Sequence, residues 1–177
     1  MRIGIDVSQL SYKNTGVASY LGNLVRNMIE LDPKNEYVLF FSSLRRKFLI
    51  SSLGIESTPK NVTIKCFKMP PSFLNIIWNK LHIFPIERFI GPVDLFITSD
   101  WTEPPSKSKK ATIIYDLIVY KYPQETHKRI INVQKRKLKW VKKESDLILT
   151  ISQSSKKDIV DLLGIDGSKI QVVYPGI

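Results

Sequence analysis

At 177 residues the chain is only slightly longer than the ~150 residues typical of one domain, so a single domain over 1–177 is expected. A hydrophobic share of 43% beside 24% charged residues excludes a disordered chain, a collagen-like chain and a membrane bundle. Charge is the outlier: 27 Lys and Arg against 16 Asp and Glu leave +11, which favours nucleic acid, an anionic bilayer surface or phosphorylated small molecules as partners.

The first predicted element is the short apolar run Arg2 to Val7. It carries Asp6 where a secretion signal needs an unbroken apolar core, so a cytoplasmic setting is expected. From Val17, apolar Tyr20, Leu21, Leu24, Val25, Met28 and Leu31 recur at helical spacing, and Asp32-Pro33-Lys34-Asn35 ends that helix. A strand follows at Glu36 to Ser42, then a basic, partly helical stretch near Leu44 to Leu53. The next strand, Val62 to Phe67, holds the single cysteine, Cys66, which is expected to pack as a small apolar residue. An aromatic-rich helix is predicted at Ser72 to Phe84, with strands at Val93 to Thr98 and Ala111 to Tyr115. The remaining elements are a long basic helix at Glu125 to Lys143, a strand at Asp146 to Ile151, a helix at Ser154 to Leu163 and a strand at Lys169 to Tyr174. Alternation of helices with apolar strands predicts an α/β fold: a doubly wound, mostly parallel sheet of about six or seven strands. The chain ends in the turn signal Tyr174-Pro175-Gly176-Ile177, which reads as a domain boundary or a cut.

Ligands of such sheets bind beyond the carboxyl ends of the strands, which singles out four loops. In Lys13 to Tyr20, Gly16 opens a helix, so a phosphate or sugar could approach backbone N–H groups at the positive end of the helix dipole. Equally, Asn14 or Thr15 could simply cap that helix. The loop Thr98 to Pro105 offers Asp100, Trp101 and Glu103, a set suited to hydroxyls and to the apolar face of a sugar, although a turn cap and a packed indole would account for it as well. Asp116 follows Tyr115 at a strand end, either as a ligand contact or as a turn residue. The fourth loop, Thr150 to Asp158, includes Ser152; Ser155 and Asp158 have capping-box-like spacing, so capping competes with ligand contact there. His82 and His127 stand alone without HExxH or CxxC, so no metal site is readable.

In the basic helix, Ile130, Val133, Leu138 and Val141 share a face while Lys135, Lys139, Lys142 and Lys143 point elsewhere. With Lys107, Lys109 and Lys110 they could meet an anionic membrane, and Phe73, Ile76, Ile77, Trp78, Leu81 and Phe84 could add an apolar foot or serve as a core helix.

Six segments in order resemble the N-terminal half of glycosyltransferase family 4: Arg2 to Asp6, Asn14 to Tyr20, Pro92 to Phe96, Ile113 to Leu117 with Tyr122-Pro123, Asp146 to Ser152 with Ser155 and Asp158, and Val172 to Gly176. The resemblance spans nearly the whole chain. It implies one Rossmann-like half of a GT-B fold, the acceptor side, with a C-terminal donor-binding domain supplied by the same protein or by a partner subunit. It further implies retaining, metal-independent transfer of a hexose from a nucleotide-sugar to a glycan or lipid-linked acceptor in cell-surface polysaccharide synthesis, with no cofactor; the basic face described above could add a peripheral place at the inner face of the plasma membrane. Thr15, Gly16 and Val17 would lie near the donor diphosphate, and Tyr115 and Asp116 would face the transferred sugar; Asp100, Trp101, Glu103 and Ser152 are the acceptor candidates. The family often has His before that Asp; Tyr115 can donate a hydrogen bond but is a poor base near neutrality. This chain alone is expected not to turn over. A half-enzyme completed by a separate subunit and a basic nucleic-acid-binding module are the competing readings; the absence of basic and aromatic interleaving argues against nucleic acid.

Overall fold

A computed structural model describes residues 1–12 and 14–176; Lys13, in the first of the candidate loops, and Ile177, in the closing turn, lie outside the described residues. Seven strands form one wholly parallel sheet in the order β3-β2-β1-β4-β5-β6-β7. They are β1 (Arg2–Asp6), β2 (Glu36–Ser42), β3 (Val62–Phe67), β4 (Leu95–Thr98), β5 (Lys109–Ile114), β6 (Leu147–Thr150) and β7 (Ile170–Val172). Helices α1 (Gly16–Leu31), α2 (Pro71–Leu74, continuing as a π-helix over Asn75–Lys80), α3 (Glu87–Ile90), α4 (Ile118–Lys121), α5 (Lys128–Glu144) and α6 (Gln153–Leu163) lie in the β1–β2, β3–β4, β5–β6 and β6–β7 connections, while a 3-10 turn links β2 to β3 and a loop links β4 to β5.

The apolar runs of the inner strands are explained by burial on both faces. Ile5 pairs with Leu39 and Ile97, and these side chains pack under α1 with Leu21 and Val25. Their neighbours Val38, Phe40 and Phe96 point the other way, onto Leu74, Ile77, Trp78 and Ile86. Farther along the sheet, Ile114, Ile148 and Ile170 meet Leu138, Val141 and Ile159 of α5 and α6. Gly4 sits where a Cβ would come within 2.7 Å of Ile90 and 2.8 Å of Phe96, so glycine lets the side chains of Ile90 at the end of α3 and Phe96 of β4 pack on β1. Strand order reverses between β1 and β4, and that switch point opens the crevice at the carboxyl ends.

Several local expectations are corrected. Within Leu44 to Leu53 only Ile50–Leu53 is helical, as one 3-10 turn. Cys66 is exposed, because β3 is an edge strand with one face toward solvent. The aromatic helix stops at Lys80, and residues 81–84 leave it in a turn whose His82 and Phe84 have φ of 54° and 61°. The cap of α6 is Ser152, whose hydroxyl accepts from the Ser155 N–H at 3.0 Å; the Ser155 hydroxyl instead donates to the Tyr115 carbonyl at 3.0 Å. On α5, Ile130 is exposed and Lys137 is turned inward with 2% of its surface accessible.

Candidate functional site

The C-terminal edge of the sheet carries a row of cavities. One of about 390 Å³ lies over β1 and β2 between Ser8, Ser42, Arg46 and Trp101. A second, about 220 Å³, lies between α2 and α5 against Trp101, Asn75, Ile130 and Val133. A third, about 280 Å³, is bounded by Asp100, Trp101, Tyr115, Asp116, Gln134 and Lys137. A cleft of about 930 Å³ beside α1 is lined by Gly16, Val17, Tyr20, Asp116 and Tyr174. Trp101 walls the first three and Asp116 the last two, so these two residues link the row.

The α1 start is built by its cap. The Thr15 hydroxyl accepts from the Ala18 N–H at 3.2 Å and donates to the Tyr12 carbonyl at 3.0 Å, and the Thr15 carbonyl receives the first helical bond from Ser19 at 3.0 Å. Gly16 and Val17 then face the cleft at the positive end of a 16-residue helix. A Cβ on Gly16 would meet nothing within 4 Å, so the fold does not need glycine there; what glycine keeps is space in the cleft.

Tyr115 and Asp116 separate in role. The Tyr115 ring is buried edge-on against Tyr20, with centroids 5.6 Å apart, and its hydroxyl pairs with Ser99 at 3.0 Å. Burial pushes its phenol well above the ordinary value, so it stays a protonated donor. Asp116 is exposed; one carboxylate oxygen accepts from the Ile118 N–H at 3.0 Å and holds the turn, and the carboxylate borders both the 280 Å³ cavity and the cleft.

Of the four acceptor candidates, Asp100 and Trp101 line cavities and Glu103 does not. Glu103 is fully buried: its carboxylate accepts from Thr98 at 2.7 Å and Thr112 at 3.1 Å and pairs with the Lys110 ammonium at 2.8 Å. It is a strut of the loop rather than a hand toward a ligand. Ser152 is spent on capping α6, and it reaches the site only through Ser155 and the Tyr115 backbone.

Four residues missed in the sequence complete the edge. Asn79 fixes the loop by donating to the Trp101 carbonyl at 2.8 Å and accepting from the Glu103 N–H at 2.9 Å. Gln134 donates to the Asp100 carboxylate at 3.1 Å. Lys137 enters the 280 Å³ cavity from α5, where burial pushes its ammonium down while Glu103, Asp100 and Asp6 pull it up. Asp6 is pushed up by burial against the hydrogen bonds from Ser8 and the charge of Lys137. The spacing held a signal for Lys137, which falls four residues after Val133 and four before Val141 on the same stripe. Among the described residues no group of three His, Cys, Asp or Glu side chains gathers as a metal site.

Burial raises the Asp100 carboxyl first, with the Lys137 charge and Gln134 acting against it. Its raised folded value means that stability is fully present below the unfolded value near ~3.9 and is lost as pH rises through the folded value. Asp100→Asn keeps the oxygen for Gln134 and removes the ionised form. The variant should melt above the parent at neutral pH, with the gap closing as pH falls toward ~4 in thermal scans.

A parallel sheet with a crevice at its switch point and a helix N-terminus opening on the larger cleft defines a doubly wound, Rossmann-like α/β protein. Residues 15–177 match the sequence profile of Glycosyltransferase Family 4, and the chain belongs to that family. No curated protein matches the sequence. Among solved structures, apo UGT2 of Phytolacca americana is similar with a TM-score of 0.54 and 11% identity, over 99% of this chain and 52% of that one. The same enzyme complexed with UDP-2fluoro-glucose and pterostilbene gives 0.52 and 12%, over 99% and 54%. The lipopolysaccharide outer core galactosyltransferase WaaB in its apo form gives 0.50 and 16%, over 100% and 46%. The chain thus spans about half the length of these structures, which share its fold.

Proposed function

We propose that the chain is the acceptor-holding half of a retaining, metal-independent glycosyltransferase that moves a hexose from a nucleotide-sugar to a glycan or lipid-linked acceptor in cell-surface polysaccharide synthesis. The observation that carries this reading is the continuity of the edge. Trp101 offers an indole to a sugar face and Asp100 a carboxylate to its hydroxyls, in a cavity that Asp116 connects with the cleft at Gly16 and Val17.

On this reading the N–H groups of Gly16 and Val17 donate hydrogen bonds to the donor diphosphate, and Asp116 holds a hydroxyl of the transferred sugar. Tyr115 acts behind them, shaping the wall with a neutral phenol rather than removing a proton. The donor's remaining contacts come from the C-terminal half, so the chain by itself does not turn over. The test is to incubate the full-length protein with a panel of nucleotide-hexoses and a glycan acceptor and to read the anomeric configuration of the product by proton NMR. The configuration of the donor is expected in the product; inversion would exclude a retaining reaction, and no transfer from any donor would remove the reading. A stable complex with a separate Rossmann-like polypeptide that restores transfer would assign the donor half to a partner subunit.

A further inference from the structure

Segment 73–84 serves the site just described through Asn75 and Asn79, but its outward apolar residues have no part in it. Its inner residues Leu74, Ile77 and Trp78 are buried in the core under α2. Its outer residues Phe73, Ile76, Leu81, Ile83 and Phe84 are each between 42% and 54% exposed. Five large apolar side chains showing within twelve residues is a patch, which a soluble surface does not present without reason.

The backbone is held so that the patch stays outside. His82 and Phe84 both adopt the left-handed region, costly for side chains other than glycine. The turn is locked by the Ile83 N–H donating to the Ile77 carbonyl at 2.8 Å and the Trp78 indole N–H to the Phe84 carbonyl at 3.0 Å. The His82 ring stacks flat on Trp140, with centroids 3.6 Å apart, and its Nε2 donates to the Glu144 carboxylate at 2.9 Å. Ile83 and Phe84 are thereby prevented from folding back onto the core.

Cations rim the patch. Arg88 lies over the Phe84 ring at 5.4 Å, Lys139 and Lys143 lie over Trp140 at 5.8 and 5.1 Å, and Lys80 is exposed between Ile76 and Leu81. The nearby carboxylates are turned to internal use: Glu87 accepts from Ser106 and from the Lys107 and Ser108 N–H groups, and Glu144 accepts from His82 and Lys110. Burial would raise the Glu144 carboxyl, but those hydrogen bonds and the Lys110 charge hold it below the usual range. Apolar side chains rimmed by cations, with the acids withdrawn, fit an anionic lipid surface.

We propose that segment 73–84, with Arg88 and the Lys139 and Lys143 end of α5, docks on the anionic headgroups of a bilayer and places Phe73, Ile76, Leu81, Ile83 and Phe84 at the acyl boundary. The contact is peripheral, since no helix of the described structure is long and apolar enough to cross a membrane. The patch lies on the sheet face of Phe40 and Phe96 while α1 and its cleft lie on the face of Ile5 and Leu39, so docking leaves the cleft open. The surface does not depend on which sugar is moved.

The test is sedimentation of the protein with vesicles of phosphatidylcholine mixed with phosphatidylglycerol at low salt, beside vesicles of phosphatidylcholine alone. Binding is expected on the anionic vesicles. The triple variant Ile76→Ser, Leu81→Ser, Phe84→Asn should bind about a hundredfold more weakly. Asn at 84 suits the positive φ, and Phe84→Asn alone, expected to lose about fivefold, carries the test if the triple variant unfolds. Failure of the parent to sediment with anionic vesicles would overturn the proposal. So would unchanged binding by an apolar variant, or parent dimers that the triple variant dissolves, which would give the patch to a second copy.

Discussion

Glu103→Ala is expected to destabilise the protein by about 3–5 kcal/mol, lowering the melting temperature by roughly 10 °C. The carboxylate is wholly enclosed and holds four groups at once: the hydroxyls of Thr98 and Thr112, the ammonium of Lys110 and, through space, the charge of Lys137. Removing it leaves Lys110, itself 2% exposed, with only the Pro104 carbonyl at 2.8 Å and the Glu144 carboxylate at 3.2 Å. An ammonium partly stripped of partners inside a protein is the costly outcome, whereas a carboxylate kept for a ligand would be relieved by truncation. The direction of the change therefore separates a strut from a ligand contact. Denaturant unfolding should show the loss as a lower midpoint at unchanged slope.

The second large effect concerns the cleft. If the proposed function holds, Gly16→Val is expected to cut sugar transfer by the full-length protein about a hundredfold while leaving the melting temperature within about 2 °C of the parent. The first half of the expectation follows from position: Gly16 and Val17 open α1 on the cleft, where a side chain would stand between the free N–H groups and a diphosphate. The second half follows from the empty space around a Cβ at this site. Loss of transfer together with a collapse in stability would mean that glycine serves the fold, and full transfer would mean that no phosphate approaches here.

The order of strands and helices was legible because each signal was local. Apolar strands separated by amphipathic helices dictated the parallel sheet, and the break at Asp32-Pro33 and the apolar spacing from Val17 placed α1 closely, while the choice of Thr15 over Asn14 as its cap came from the structure. What was not legible depended on partners distant in sequence. Glu103 and Asp100 sit three residues apart in one polar loop, and only the arrival of Thr112 and Lys110 from β5 and of Gln134 from α5 turns one carboxylate inward and leaves the other at a cavity wall. The same holds for Cys66, whose alternating strand looked buried until its place at the sheet edge was fixed. The end of the aromatic helix at Lys80 was hidden because His82 and Phe84 take a conformation that their side chains disfavour, held by contacts of His82 with Trp140 and Glu144 about sixty residues away.

On the proposed function, sugar transfer takes place where Asp116 joins the edge cavity to the cleft. Its most direct test is nucleoside diphosphate release from nucleotide-sugars by the full-length protein, measured for the parent and for Asp116→Asn. The asparagine keeps an oxygen for the Ile118 N–H, so folding should be unaffected. Loss of the charged acceptor should slow release by about 10- to 100-fold, the value of one hydrogen bond to a charged group. Release at the parental rate from a variant of parental stability would place the chemistry elsewhere and contradict the account.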